Sequence, residues 1–203
     1  ASDVYKRQEP LEDGEVSLVR ANYSLRFPAR FQLMAAMNPC PCGYLGHPER
    51  QCTCSSAAVQ RYQARLSGPL LDRIDLVVPM APPRSLDGGP QEGTAEIRAR
   101  ISIARARQRE RLCGTTHRNN AEIPTDGGAI ESLCPLDDEG RSLLSQLATA
   151  RMLSPRARDR MRRVATTLLD LQRPGDNVEA PIGRREIAIA ASLRRLPNMQ
   201  QGA

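Results

Sequence analysis

Four cysteines carry the clearest chemical signal in the sequence, because they form two Cys-x-Cys pairs in one short loop. Cys40 and Cys42 make the first pair, nine residues follow, and Cys52 and Cys54 make the second pair. Four thiolates suit a tetrahedral structural zinc site, which stabilises a loop too small to have its own core. The pattern predicts bound zinc, although usual zinc knuckles have the wider spacing Cys-x₂₋₄-Cys. Four reduced thiols, or two disulfides after oxidation, are the alternatives.

The remaining cysteines and the loop histidine give weaker signals. His47 lies between the two cysteine pairs and is either a reserve ligand or, as we favour, an ordinary loop residue. Cys113 and Cys134 stand apart, and we expect them to be ordinary small apolar side chains. No stretch approaches the roughly 20 apolar residues that a membrane span needs, and no secretory leader opens the sequence. We therefore expect a cytoplasmic protein with reduced thiols and no membrane partner.

Asn38 is a candidate for ligand binding because of where its apolar neighbours place it. Residues 31–37 are nearly all apolar, which is typical of a strand buried on both faces of a parallel sheet. Sheets of α/β proteins place ligand-binding polar groups at the ends of such strands. Asn38 either binds a ligand there or, with Pro39, only begins a turn.

Two arginines are candidates for contact with an anion. Arg73 precedes a second short apolar strand over 74–78, and its guanidinium group fits a phosphate or a carboxylate. Arg156 lies in the first turn of a predicted helix, where the helix dipole disfavours a cation unless an anion is near. The plain alternative for Arg73 is an ion pair with Asp72 or Asp75.

The charged residues exclude one class of nucleotide site within this sequence. The chain has 203 residues, 29 Lys plus Arg against 23 Asp plus Glu, and a formal charge of +6, yet Lys6 is its only lysine. A P-loop needs Gly-x-x-x-x-Gly-Lys-Ser/Thr, and Lys6 has no such surroundings. The arginine-rich helices predicted over 94–112 and 154–163 either contact nucleic acid or are solvated faces.

The elements that position these residues divide into a mixed domain over 9–80 and a helical domain over 94–203. Residues 16–20 and 23–27 alternate as a hairpin, with Ala21-Asn22 as its turn. A linker rich in Pro and Gly separates the domains over 81–93. Residues 1–8 read as a possible non-native leader, and the chain reads as a fragment. The predicted helices span 59–65, 66–73, 94–112, 129–150 with a break at Pro135, 154–172 and 184–196.

Five sequence blocks, taken in order, resemble one protein family. They are residues 9–16, residues 20–31, Ala35-Ala-Met-Asn-Pro-Cys-Pro-Cys-Gly43, Arg65-Leu-Ser-Gly-Pro-Leu-Leu-Asp-Arg-Ile-Asp75 and Leu153-Ser-Pro-Arg-Ala-Arg-Asp-Arg160. Together they resemble the bacterial magnesium-chelatase-like AAA+ ATPases, in the ComM/YifB branch, over 9–196. The resemblance implies an α/β fold: the C-terminal part of an AAA+ parallel-sheet core with a β-hairpin insertion, followed by an all-helical lid domain.

The resemblance also implies roles for the three single residues. Asn38 matches the sensor-1 asparagine, which orients the attacking water beside the γ-phosphate of ATP. Arg73 matches the arginine finger that is offered to the ATP of a neighbouring subunit, and Arg156 matches the sensor-2 arginine of the helical lid. ATP and Mg²⁺ are the implied cofactors, in a full-length protein that also carries the Walker A and Walker B motifs. This chain lacks both motifs, so we expect it to be inactive alone.

The family resemblance implies partners as well, and it leaves two alternatives open. It implies self-association into a hexameric ring and action on DNA, as a helicase in branch migration. One alternative is a zinc-stabilised module that binds DNA or protein without ATPase activity. The other is a chelatase-type motor subunit that serves a metallation enzyme, although the cysteine loop after Asn38-Pro39 favours the ComM/YifB branch.

Overall fold

The computed structural model describes residues 10–11, 14–20, 23–66, 68–80, 92–125, 128–172 and 180–194. It divides into two compact units, the first containing Ala1–Ile74 and the second containing Asp75–Pro79 and Pro83–Pro197. The possible leader over 1–8, the turn Ala21-Asn22 and residues 81–91 of the predicted linker lie outside the described residues.

The first unit opens with the predicted hairpin, which the structure confirms. Strands β1 (Glu15–Arg20) and β2 (Tyr23–Pro28) pair antiparallel, with Val16 opposite Phe27 and Leu18 opposite Leu25. These four apolar side chains share one face because side chains alternate along a strand. The N–H of Ala29 donates to the carbonyl oxygen of Gly14 at 2.6 Å and closes the open end of the hairpin.

The two apolar segments predicted as buried strands do not form strands in the described part of the chain. Residues 31–37 and 74–78 have no regular secondary structure, and most of their large side chains are exposed, Met34 to 86% and Val78 to 59%. A strand that is buried on both faces needs neighbouring strands and a covering layer. Within the described residues, no strand lies beside either segment, so an apolar sequence alone does not produce the sheet.

Two short helices complete the first unit. Helix α1 (Ser56–Gln63) begins where the hydroxyl of Ser55 accepts a hydrogen bond from the N–H of Ala58 at 3.3 Å. That side chain satisfies one of the N–H groups that the first turn of a helix leaves without a partner. Helix α2 (Gly68–Arg73) follows and ends at the candidate finger arginine.

The second unit is a helical bundle, which confirms the predicted mixed segment followed by an all-helical one. Its helices are α3 (Thr94–Arg111), α4 (Ala129–Leu133), α5 (Asp138–Ala150), α6 (Pro155–Gln172) and α7 (Arg184–Ser192), with a 3₁₀ turn at Asn120–Glu122. The break that Pro135 predicted falls between α4 and α5. Ser154 caps α6, since its hydroxyl accepts a hydrogen bond from the N–H of Ala157 at 3.2 Å. The core residues of the bundle include Ile123, Ile130, Cys134, Leu144, Met161, Ala165, Ile182, Ile187 and Ala190.

A buried carboxylate joins three elements of the second unit. The carboxylate of Asp170 on α6 forms an ion pair with Arg111 of α3, and the side chains are only 3% and 11% exposed. Gln108 of α3 donates to the same carboxylate at 3.2 Å, and Asn120 of the 3₁₀ turn donates at 2.9 Å. Arg107 donates to the backbone carbonyl of Asp170 at 2.8 Å. Buried charges are tolerated when they are paired and hydrogen-bonded in this way.

Residues 75–79 lie against the helices of the second unit. The guanidinium group of Arg160 on α6 pairs with Asp75 at 3.3 Å. The N–H of Val77 donates to the carbonyl oxygen of Leu193, which follows α7, at 2.6 Å. An ion pair with α6 and a backbone hydrogen bond to the residue that follows α7 therefore attach this segment to the second unit.

A single parallel bridge fastens the start of α5 to the segment before α7. Ile182 donates its N–H to the carbonyl of Pro135 at 2.7 Å and accepts from the N–H of Asp137 at 3.1 Å. Gly140 of α5 lies so close that a Cβ atom there would be 2.5 Å from the carbonyl oxygen of Ile182. Among the described residues, no helix is long and apolar enough to cross a membrane.

The buried ion pair gives a prediction about stability. Asp170→Asn should lower the free energy of unfolding of this chain by about 3–5 kcal/mol, because it leaves the buried Arg111 guanidinium without its counter-charge. Urea unfolding followed by circular dichroism measures the change. The matched control is Asp138→Asn, which removes a solvent-exposed pair with Arg141 and should cost almost nothing. Equal losses in the two variants would contradict the assigned importance of the buried pair.

Candidate functional site

The four cysteines that the sequence singled out lie together in the first unit. Their sulfur atoms all lie within 4.8 Å of one another. The Sγ atom of Cys40 is 3.4 Å from that of Cys42 and 3.7 Å from that of Cys52, and Cys42 and Cys52 are 3.6 Å apart. A zinc ion with Zn–S bonds of about 2.3 Å separates its tetrahedral ligands by about 3.8 Å. The cluster therefore already has the dimensions of a four-thiolate metal site.

Two tight turns shape the loop that carries the cysteines. The N–H of Gly43 donates to the carbonyl of Cys40 at 3.1 Å, and the N–H of His47 donates to the carbonyl of Tyr44 at 3.1 Å. Gly43 and Gly46 have φ values of +84° and +81°, a backbone region that side chains with a Cβ atom rarely adopt. The glycines thus let the chain turn twice between the two cysteine pairs.

The middle of the loop is held by contacts among polar side chains. Nδ1 of His47 accepts hydrogen bonds from the N–H groups of Glu49 and Arg50, both at 3.1 Å. Arg50 lies over the ring of Tyr44, 5.3 Å from its centre, and donates to the Tyr44 hydroxyl at 2.8 Å. These hydrogen bonds engage the Nδ1 lone pair of His47, and the side chains placed to hold a metal ion are the four cysteines without His47, which favours the ordinary loop residue.

The thiols affect one another's protonation. The backbone N–H groups of Tyr44 and Thr53 lower the pKa of Cys42 to about 5. The backbone N–H of Cys54 lowers the pKa of Cys52, but desolvation and the neighbouring thiols outweigh it and raise that pKa to about 12. The pKa of Cys54 is also raised. Without a cation, the first thiolate makes further ionisation costly, whereas a metal ion neutralises the charge and takes the place of the protons.

The four-cysteine cluster also contains the one buried side chain among the described residues of the first unit. Among the described residues of the first unit, Cys40 alone is buried, with 0% of its surface exposed. All six cysteines of the chain are free thiols, so no disulfide supplies the missing cross-link. Of the two cysteines outside the cluster, Cys134 is buried in the second unit and Cys113 is exposed. The cluster can hold a metal ion, and the unit has little else to stabilise it.

Asn38 lies directly beside this cluster. Its side chain is exposed, and a Cβ atom at Gly43 would be 3.9 Å from Nδ2 of Asn38. The next residue, Pro39, accepts a hydrogen bond from Nε2 of Gln63 on α1 at 3.1 Å. The sequence gave no signal for this contact, because the two residues are 24 positions apart and glutamine on a helix surface is common.

The two candidate arginines have different settings. Arg73 is the last residue of α2 and is half-buried, whereas Arg156 is exposed in the first turn of α6. Asp75, one of the aspartates that we considered as a partner for Arg73, pairs with Arg160. Arg73 and Asn38 belong to the first unit, and Arg156 belongs to the second.

Comparison with known proteins gives two consecutive matches that span nearly the whole chain. Residues 4–86 match the family described as magnesium chelatase, subunit ChlI. Residues 91–194 match the C-terminal domain of the same subunit.

Similar bacterial proteins are longer than this chain. Competence protein ComM of Haemophilus influenzae is 40% identical over 171 residues, which cover 81% of this chain and 32% of that protein. YifB of Escherichia coli is 38% identical over 81% of this chain and 32% of its own length. Protein Mb2921c of Mycobacterium bovis is 37% identical over 92% of this chain and 36% of its own length. The chain thus spans about a third of the length of these relatives, and it belongs to the magnesium-chelatase ChlI family, with ComM and YifB among its homologues.

Proposed function

We propose that this chain is the part of a ComM/YifB-type AAA+ ATPase that supplies sensor 1, the arginine finger and sensor 2 to an oligomeric, DNA-acting motor in the bacterial cytoplasm. The observation that carries the proposal is the pair of consecutive family matches over 4–86 and 91–194. The position of Asn38, exposed beside the turn from Cys40 to Gly43 at the end of an apolar segment, supports it.

Each of the three proposed residues has its own role in ATP hydrolysis. Asn38 presents an exposed amide, which can orient a water molecule by accepting or donating hydrogen bonds. Arg73 is the finger that neutralises charge as it develops on the phosphate, an effect worth about 10³–10⁵ in rate in other nucleotide hydrolases. Arg156 begins a helix whose dipole opposes a cation, so a phosphate nearby lowers its free energy.

The nucleotide itself needs residues that this sequence does not contain. Lys6 is the only lysine, so the chain has no Gly-x-x-x-x-Gly-Lys-Ser/Thr loop to hold the phosphates or Mg²⁺. ATP and Mg²⁺ are therefore cofactors of the longer protein that we propose. Exposed apolar side chains such as Phe31, Leu33 and Val78 are consistent with further strands of that protein covering them.

Action on DNA is supported by the distribution of arginine. Helix α3 exposes Arg98, Arg105 and Arg109, and the chain carries a formal charge of +6. Such a surface attracts the phosphate backbone of DNA without regard to sequence.

The cysteine cluster favours a structural zinc ion. It therefore also supports a second candidate function, that of a zinc-stabilised binding module. A zinc-stabilised module would bind DNA or protein without ATP. Salt-sensitive DNA binding by this chain alone, unchanged by Arg73→Ala, would favour that function over the motor. A chelatase-type subunit is favoured by the description of the two family matches, whereas the similar curated proteins ComM and YifB favour the motor.

The finger assignment predicts the behaviour of a full-length ATPase that carries these residues together with Walker A and Walker B motifs. Arg73→Ala should lower kcat at least about a hundredfold and leave nucleotide binding nearly intact, because the finger acts on the transition state. Arg61→Ala removes an exposed arginine of α1 and is the matched control. Turnover within about tenfold of the parent would show that Arg73 is not the finger.

The metal assignment predicts one zinc ion per chain when the protein is purified in reductant without chelator. Elemental analysis should find it in the parent and not in the Cys40→Ser, Cys52→Ser double variant, because two thiolates cannot complete the tetrahedron. Cys113→Ser changes an exposed thiol outside the cluster and should keep the metal. A metal-free parent protein would contradict the zinc proposal.

A further inference from the structure

The side chain of Asn38 is exposed, yet two features restrict the backbone that follows it and the space beside it. An exposed amide normally samples several rotamers, and ordering it costs conformational entropy. A residue that must orient one water molecule cannot rotate freely, since small misplacements cost large factors in rate. The question is therefore what holds this amide in place.

The first restriction comes from the cysteine loop. Asn38 is two residues before Cys40, the fully buried member of the cluster, and the turn from Cys40 to Gly43 folds back beside it. A Cβ atom at Gly43 would lie 3.9 Å from Nδ2 and 4.0 Å from Cγ of Asn38, so the turn passes close to the amide. The turn therefore bounds the space on one side of the amide.

The second restriction comes from helix α1. Gln63 donates from Nε2 to the carbonyl oxygen of Pro39 at 3.1 Å. This hydrogen bond fixes the carbonyl group of Pro39, so the backbone that directly follows Asn38 is held by helix α1 and by the buried Cys40. The helix that carries Gln63 starts directly after the second cysteine pair, at Ser56.

We propose that the four-cysteine metal centre and Gln63 together form a clamp that holds the Asn38 amide in one orientation, with Gln63 as a positioning residue. The inference rests on the proposed metal centre and gives the proposed sensor role its physical basis. Metal bound by the four thiolates fixes the turn from Cys40 to Gly43, and the fixed turn confines Asn38. The metal thereby supports a residue that it does not touch.

Nuclear magnetic resonance of this chain tests the clamp without any ATPase activity. The chain has six asparagines, so selective ¹⁵N-asparagine labelling gives few side-chain signals, and Asn38→Ser identifies the one of interest. With Zn²⁺ bound, the Asn38 amide should be rigid; after chelation, its order parameter should fall to the flexible range, below about 0.6. The Nδ2 group of Asn120, which donates to Asp170 and Thr167 in the other unit, is the internal reference.

A variant outside the ligand set separates positioning from simple unfolding of the loop. Gln63→Ala should retain the zinc ion and still lower the order parameter of Asn38, whereas Gln60→Ala, an exposed glutamine on the same helix, should change neither. An Asn38 amide that stays rigid in zinc-bound Gln63→Ala, or in the chelated parent, would overturn the clamp. A chain that takes up no Zn²⁺ would overturn the metal centre and the clamp with it, but would leave the ATPase assignment of Asn38 standing.

Discussion

The carboxylate of Asp170 imposes the strictest constraint on the helical unit, because a buried charge is stable only where its partners meet it. Its partners come from helix α3 and from the 3₁₀ turn at Asn120–Glu122, so these elements and α6 must converge on one point. The backbone carbonyl of the same residue accepts from Arg107, which fixes α3 at a second point. The apolar core then fills around α6, with Met161 and Ala165 almost fully buried.

In the first unit, a cluster of four cysteines brings the chain together in place of a buried ion pair. It has a hairpin with an exposed apolar face and two short helices, and Cys40 alone is buried among its described residues. Units with so little core usually depend on a metal or on cross-links for their stability. The contacts among Tyr44, His47 and Arg50 shape the loop, but they are exposed and contribute little by themselves. The sulfur cluster is thus the structural centre of this unit.

Local features of the sequence predicted the local structure well. Ser154-Pro155 marked the start of α6, Pro135 marked the break before α5, and the alternation over 16–27 marked the hairpin. The cysteine cluster was also predictable, because its four members lie in one loop. The strand predicted over residues 31–37 is not formed, because a buried strand depends on neighbouring strands that its own sequence does not specify. The contact between Gln63 and Pro39 joins positions that are far apart in the chain, so no local pattern in the sequence predicts it. Counting arginines overstated the positive charge on the surface, since Arg107, Arg111 and Arg162 are engaged in the interior.

The bridge between Ile182 and the start of α5 has a consequence for how this domain can evolve. Gly140 has an ordinary helical conformation, so neither its dihedral angles nor its place in a helix calls for glycine. It is the approach of the Ile182 carbonyl that excludes every larger side chain. Substitution there would require the bridge to move, and α7 would move with it. We therefore expect this position to stay glycine in relatives that keep the bridge, while the exposed positions of α5 vary.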